Sequence, residues 1–372
     1  MNKIILLVSL LLIATIVPVA AQEDKPARFI DLPNDHWAAA SVLKVAEKGI
    51  INGKPGNLFD PNANVTRAEF IKMIALAAEM EIPQRSGGNW YDPYVSVVAK
   101  EKIYKSSDFK SWTEPSTRLD MARFIVRALD PSLRDANDKE LMYEATKRGI
   151  IRGLDKGELG VNERSTRAQA AVIIDRMLSV KEGKTLAADK RAASYAEIEM
   201  SGTNLQTMWG MKAVPLPFKI NAGSKLNVEI DQMLVVDLGD KDGAYREWFP
   251  KIMKQDGSVA SEDEYVVALH LNVENPIKQA SSSWMLPFKI TAESPIYRFA
   301  IIHPDVKDQT SIKFMPTVNT NKVQKVDGWY LMTINREDVD KRPKIQDGKF
   351  GIVIYNYVTQ SKIFLSEKVD PR

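Results

Sequence analysis

The 372-residue sequence contains no cysteine, only three histidines and, past its N-terminus, no long apolar run. The first absence excludes disulfide frameworks, thiolate metal sites, cysteine nucleophiles and an anchor built on a lipid-modified cysteine. His36, His270 and His303 are too scattered in sequence to resemble a metal-ligand cluster, so no metal or cofactor is expected. Surplus charge is lacking as well. A formal net charge of +3, with 27% of residues charged, offers no basic excess for nucleic acid. No Gly-x-Ser-x-Gly, phosphate loop or dinucleotide fingerprint occurs, so the chain is not expected to be an enzyme.

The apolar run that does exist lies at the start, where Met1-Asn2-Lys3 is followed by Ile4 to Val17 and then Pro18-Val19-Ala20-Ala21. One early cation, a short apolar stretch and small residues at Val19 and Ala21 predict a secretory signal peptide, 1–21. The stretch is shorter than the ~20 residues that span a bilayer, so no membrane span is expected in the mature chain. With 44% hydrophobic residues over this length, two or more domains are expected.

A repeat organises the N-terminal half. Trp37, Gly49-Ile50-Ile51-Asn52-Gly53, Leu58-Phe59-Asp60-Pro61 and Thr66-Arg67-Ala68-Glu69 form the first copy. Trp90, Lys102-Ile103-Tyr104, Trp112 and Thr117-Arg118-Leu119-Asp120 form the second, and Gly149-Ile150-Ile151-Arg152-Gly153, Leu159 and Thr166-Arg167-Ala168-Gln169 the third. The Thr-Arg pairs lie 51 and 49 residues apart. Each copy reads as helix, loop, helix. Thr66 with Glu69, Thr117 with Asp120 and Thr166 with Gln169 have capping-box spacing and mark the second helix starts. Behind them Phe70, Ile71 and Ile74, then Met121, Phe124 and Ile125, then Val172, Ile173 and Met177 keep one apolar face. One such unit cannot bury its own core, so the three are expected to pack about a pseudo-threefold axis.

The arginines of the Thr-Arg pairs oppose the helix dipole and need a partner. An anion at the helix start and a salt bridge between units both meet that need, and the pattern leaves the two open. Trp37 and Trp90 either stack on a sugar or close the core, and the core is the favoured reading. Gly53 and Gly153 are expected in turns requiring positive φ, with close backbone approach to a ligand as a further role.

Residues 29 to about 180 resemble three tandem S-layer homology modules, with Phe29-x-Asp31, Trp37, Gly-Ile-Ile, Phe59-x-Pro61 and Thr-Arg-Ala-Glu in that family's order. The expected modules are 22–80, 81–130 and 131–183. The resemblance implies non-covalent binding of a secondary cell-wall polysaccharide carrying pyruvylated N-acetylmannosamine, in grooves between modules. It further implies that Arg67, Arg118 and Arg167 reach the acidic group, with Trp37, Trp90, Gly53, Gly153 and Asp31 completing the binding set. The location so implied is the wall or S-layer of a Gram-positive bacterium. Lys102 for Gly, Asp120 for Glu, Asn137 for Trp and Gln169 for Glu depart from the pattern, so one or two grooves are expected to bind, Arg67's first.

From about Thr185 the pattern changes. A linker or short connecting helix is expected over 184–198 and a β-sandwich, immunoglobulin-like, over 199–372. Leu226, Val228 and Ile230, and Val267, Leu269, Leu271 and Val273, alternate with polar residues, and further strands are expected near 296–302, 328–334, 350–358 and 362–366. Leu216-Pro217-Phe218-Lys219-Ile220 recurs as Leu286-Pro287-Phe288-Lys289-Ile290, either a duplicated β unit or two similar strand starts. Two other roles remain open on sequence grounds: a carbohydrate-active enzyme tethered by the modules, and a lattice subunit.

Overall fold

The computed structural model describes residues 29–85, 87–221, 226–278, 284–285, 297–316, 318–341, 350–356 and 361–368. The expected signal peptide and the 286–290 echo lie outside them. Three helix pairs follow one another: α1 (Ala39–Glu47) and α2 (Arg67–Ala77), α3 (Asp92–Lys100) and α4 (Arg118–Leu129), α5 (Asp138–Lys147) and α6 (Arg167–Lys181). Packing is exchanged between the pairs. α2 lies on α3, α4 on α5 and α6 on α1, while the three second helices meet in the middle. Phe70, Ile71, Ile74, Met121, Phe124, Ile125, Ile173 and Met177 fill the shared core, which is why no single unit needs a complete one of its own.

The arrangement closes on itself through the main chain. Val65 N–H donates to Ser165 O (3.0 Å), Ser165 N–H to Ser116 O (2.9 Å) and Ser116 N–H to Val65 O (2.8 Å). Next to this ring, Arg67, Arg118 and Arg167 N–H donate to Glu114, Glu163 and Ala63 O. The start of each second helix is thus docked on the loop of the following unit, and the third unit on the first.

All three second helices carry a reciprocal capping box, Thr66 with Glu69, Thr117 with Asp120 and Thr166 with Gln169. Thr66→Ala is expected to lower stability by about 1 kcal/mol, read as a shift in urea midpoint; an unmoved midpoint contradicts the capping role. Two sequence expectations need correction. Gly53 and Gly153 do not have positive φ; the left-handed positions are Gly49 (φ 68°), Lys102 (φ 55°) and Gly149 (φ 69°), just past the first helices. Gly53 is required by crowding, because a Cβ there would sit 2.5 Å from the Phe29 ring, and at Gly153 it would sit 2.5 Å from Gly157 Cα. Trp37 and Trp90, expected to close the core, are 64% and 45% exposed.

Helix α7 (Lys190–Ser201) occupies the expected connecting region and packs on α5, burying Ala192 and Ala196 in the helical core. Buried Glu197 near its end accepts N–H bonds from Gln206 (2.9 Å) and Thr207 (2.7 Å), satisfying orphan donors of α8 (Leu205–Trp209). Asn204 bonds both polar groups of the Val235 backbone at 2.8 Å, which ties α8 to the sheet.

The strands are β1 (Phe218–Asn221), β2 (Asn227–Asp237), β3 (Ile252–Lys254), β4 (Glu264–Asn275), β5 (Trp284–Met285), β6 (Tyr297–Ile302), β7 (Val318–Asn319), β8 (Gln324–Asn335), β9 (Val353–Asn356) and β10 (Ser361–Phe364), with α9 (Arg336–Lys341) after β8. Six form one antiparallel sheet in the order β1-β2-β4-β8-β6-β3. The alternation seen in sequence places Val228, Ile230, Val267, Leu269 and Leu271 on one face, against Trp209, Phe350, Ile352 and Leu365. Leu234, Val236, Ala268 and Leu331 face the other core with Phe249 and Ile252. β9 and β10 pair separately. β5 and β7 form a further pair, so among the described residues one sheet holds six strands and two others hold two each. No helix among the described residues is long and apolar enough to cross a membrane.

Candidate functional site: three inter-unit grooves

The Thr-Arg arginines point into the following unit, so each groove combines one unit's arginine with the next unit's loop and second helix. Counting from each Thr gives the equivalent second-helix positions, and counting from Gly49, Lys102 and Gly149 the first loop positions; the three grooves then differ in charge.

At Arg67 every cation is matched. Arg67 Nε donates to Asp120 at 2.7 Å and Nη1 to Ser111 O at 3.2 Å, with the Phe109 ring 4.5 Å below the guanidinium. Lys105 pairs with Asp135 (2.8 Å) and Arg127 with Asp108 (2.7 Å). Asn137, standing where a tryptophan was expected, caps α5 by accepting from Lys139 and Glu140 N–H. The groove at Arg167 is also balanced. Arg167 lies 3.6 Å from Glu69, donates to Phe59 O and Asn52 O at 2.9 Å, and has the Phe59 ring at 5.0 Å. Neutral Asn52 and Leu76 take the places held in the Arg67 groove by Lys105 and Arg127. Asp31 braces this loop by accepting from Phe59 and Asp60 N–H, both at 2.7 Å. Burial works against ionisation of Asp31, yet those amides and the charge of Arg167 hold its carboxyl below the ordinary value.

The groove at Arg118 is different. Buried Arg118 donates from Nε to Leu159 O (2.7 Å) and from Nη2 to Arg152 O, and its neighbours at the acid and aromatic positions are Gln169 and Leu159. Two more guanidiniums converge there. Arg152 is exposed, and half-buried Arg176 donates to Ile150 O at 3.1 Å. Trp37 of the first unit, Gly153 and Gln169 complete the lining of a cavity of about 160 Å³. Burial, and then the charges of Arg152 and Arg118, push Arg176 below the ordinary guanidinium value, while Asp175 acts the other way. Asp175 itself is engaged with Lys44 (2.5 Å) and Ser41 (2.8 Å). No ion pair joins these three arginines to a carboxylate among the described residues. A site with several cations, no fixed counter-charge and an exposed indole on its rim can take an acidic sugar.

The structure brings together Arg118, Trp37, Gly153 and Gln169 of the sequence-derived set, while Glu69 and Arg167 meet in a second groove beside the Asn52-Gly53 loop and Trp90 lies against Tyr91 and Tyr94. Arg152 and Arg176 were missed. The signal was present, since Arg176 follows Gln169 by seven residues, two helical turns on the same face. Among the described residues no group of histidines and carboxylates is placed to hold a metal. In the sheet region, Trp248 packs partly buried against the second core.

The sequence profile of the S-layer homology domain matches residues 28–71, the first unit. An S-layer protein of Bacillus thuringiensis subsp. finitimus is 32% identical over 121 residues, covering 30% of this chain and 14% of that protein. S-layer protein EA1 of Bacillus anthracis is 26% identical over 278 residues, 66% of this chain and 31% of EA1. An amylopullulanase of Thermoanaerobacterium thermosulfurigenes is 26% identical over 170 residues, 39% of this chain and 9% of that protein. The aligned region thus spans less than a third of each relative. Profile and relatives agree with the reading of the first repeat unit: residues 28–71 match the S-layer homology domain.

Proposed function

We propose that the chain is an exported, non-enzymatic surface protein held to the cell wall through the Arg118 groove, and that its second and third units are diverged S-layer homology modules. The observation that carries this reading is the set of three guanidiniums that line one cavity with Trp37 and, among the described residues, form no ion pair with a carboxylate. A ketal-linked pyruvate on N-acetylmannosamine presents a carboxylate to the arginines and a sugar face to the indole, which is the chemistry this groove accommodates. The sheet domain is then displayed away from the wall. The amylopullulanase match favours a second reading, in which the same anchor tethers a carbohydrate-active domain.

Retention of the full chain on isolated Gram-positive walls, before and after chemical removal of pyruvate, tests the anchor. Retention is expected to disappear with the pyruvate and to weaken as salt is raised. Equal retention on stripped walls overturns the acidic-sugar reading.

A further inference from the structure

We propose that the chain carries a second subsite, a cleft for uncharged sugar residues of the same polymer, built where the third unit, α7 and the sheet domain meet. The inference rests on the anchoring reading above. Residues of the 156–163 loop, Arg191, Tyr195 and Glu199 of α7, and Tyr245 and Glu247 from the β2–β3 connection line a cavity of about 530 Å³. One loop joins it to the Arg118 groove. Gly153 and Leu154 line the groove and the residues that follow line the cleft. Leu159, on the cleft, accepts through its carbonyl from Arg118 Nε at 2.7 Å. A Cβ on Gly160 would sit 3.4 Å from Arg118 Cδ, so at that point one thickness of main chain separates the two cavities. A polymer whose acidic residue lies on the arginines meets the cleft with the sugars that follow.

The lining selects sugars without charge. Tyr195 and Tyr245 are half-buried and meet edge to face with ring centroids 5.0 Å apart, and Trp248 lies 4.6 Å from Tyr245. Aromatic rings with a polar tip stack on the C–H face of a sugar and bond its hydroxyls. Tyr245 is held there with a left-handed backbone (φ 59°), a conformation that is costly for a bulky side chain and concentrated at functional sites. Burial, and then the charges of Tyr195, Glu199 and Glu247, push the pKa of its hydroxyl up to about 12, so it stays a donor at neutral pH. Around the rings, Lys156 and Arg191 stand against Glu158, Glu163, Glu199 and Glu247. Two cations facing four carboxylates disfavour a second pyruvate, while carboxylates accept readily from sugar hydroxyls. Glu247 lies 3.8 Å from Arg191, and the side chains of the other three acids make no hydrogen bond or ion pair among the described residues.

The test is calorimetric titration of the full chain with two probes, with melting temperature measured in parallel. One is the methyl glycoside of pyruvylated N-acetylmannosamine, a single sugar that occupies the groove alone; the other is polysaccharide fragments released from isolated Gram-positive walls. The wild-type chain is expected to bind the fragments at least about ten-fold more tightly than the glycoside, by a margin that persists as salt is raised. Tyr195→Ala and Tyr245→Asn, the second chosen because asparagine tolerates the left-handed backbone, are each expected to erase that margin and to leave glycoside affinity and melting temperature in place. Equal wild-type affinity for the two probes, or a margin that survives either variant, overturns the inference and leaves the anchor standing. A fall in glycoside affinity equal to the fall for the fragments traces the effect to the groove and overturns the subsite. Binding of neither probe by the wild-type chain overturns the anchoring reading and this inference with it.

Discussion

Asp108→Ala is expected to destabilise the helical region by about 3–5 kcal/mol, the usual consequence of stripping one partner from a buried ion pair. The side chains of Arg127 and Asp108 are 3% and 5% exposed and meet at 2.7 Å, with a second contact at 3.2 Å. Asp108 also accepts from Lys105 N–H at 2.9 Å, and Arg127 donates to Ile103 O at 3.2 Å. Without the carboxylate, a guanidinium sealed within the second unit keeps its desolvation cost and loses its main compensation. Against a whole-domain stability of about 5–15 kcal/mol, that loss is large. Urea unfolding followed by helical circular dichroism reads it directly. The double variant Asp108→Ala, Arg127→Met is expected to recover much of the loss, because an apolar replacement of the pair removes the stranded charge. Equal midpoints for Asp108→Ala and wild type contradict the role given to this pair.

Wall retention is expected to fall about a hundred-fold in the double variant Arg152→Glu, Arg176→Gln, as two of the three guanidiniums that line the cavity with Trp37 are lost, one by reversal and one by neutralisation of its charge. The first change falls on an exposed side chain and the second gives up one bond, to Ile150 O. Stability should move by only about 1 kcal/mol. The loss should also be accompanied by a flatter salt dependence, since less charge remains to be screened. Undiminished retention in a folded double variant moves the binding site away from this groove.

Much of this architecture was legible in the sequence because it is local. Capping boxes, the apolar face behind each one and the Thr-Arg spacing depend on neighbours a few residues away. The alternating residues of β2 and β4 marked which positions face the core for the same reason. What escaped was relational. The partner of Arg67 is Asp120, 53 positions on in a different unit, and no local pattern distinguishes it from a free arginine. That is why the sequence ranks the Arg67 groove first without revealing the salt bridge that Arg67 makes to Asp120. Trp37 was misread because an aromatic near a helix start suits a core and a groove rim equally well. The order of the six strands depends on long-range pairing, such as β4 with β8, that periodicity does not encode.

The hydrogen-bonded ring through Val65, Ser116 and Ser165 changes what counts as the anchoring element. A linear string of modules under load from the displayed domain yields one bead at a time, each with its own small barrier. A closed circle has no free end to peel, so releasing any member exposes the faces of the other two together. Removing the first unit, which carries Trp37, or the second, which carries Arg118, takes away a wall of the Arg118 groove and a third of the circle. On the anchoring reading proposed above, any grip on the wall is a property of the whole trefoil, each unit serving as part of the frame that keeps the others in shape.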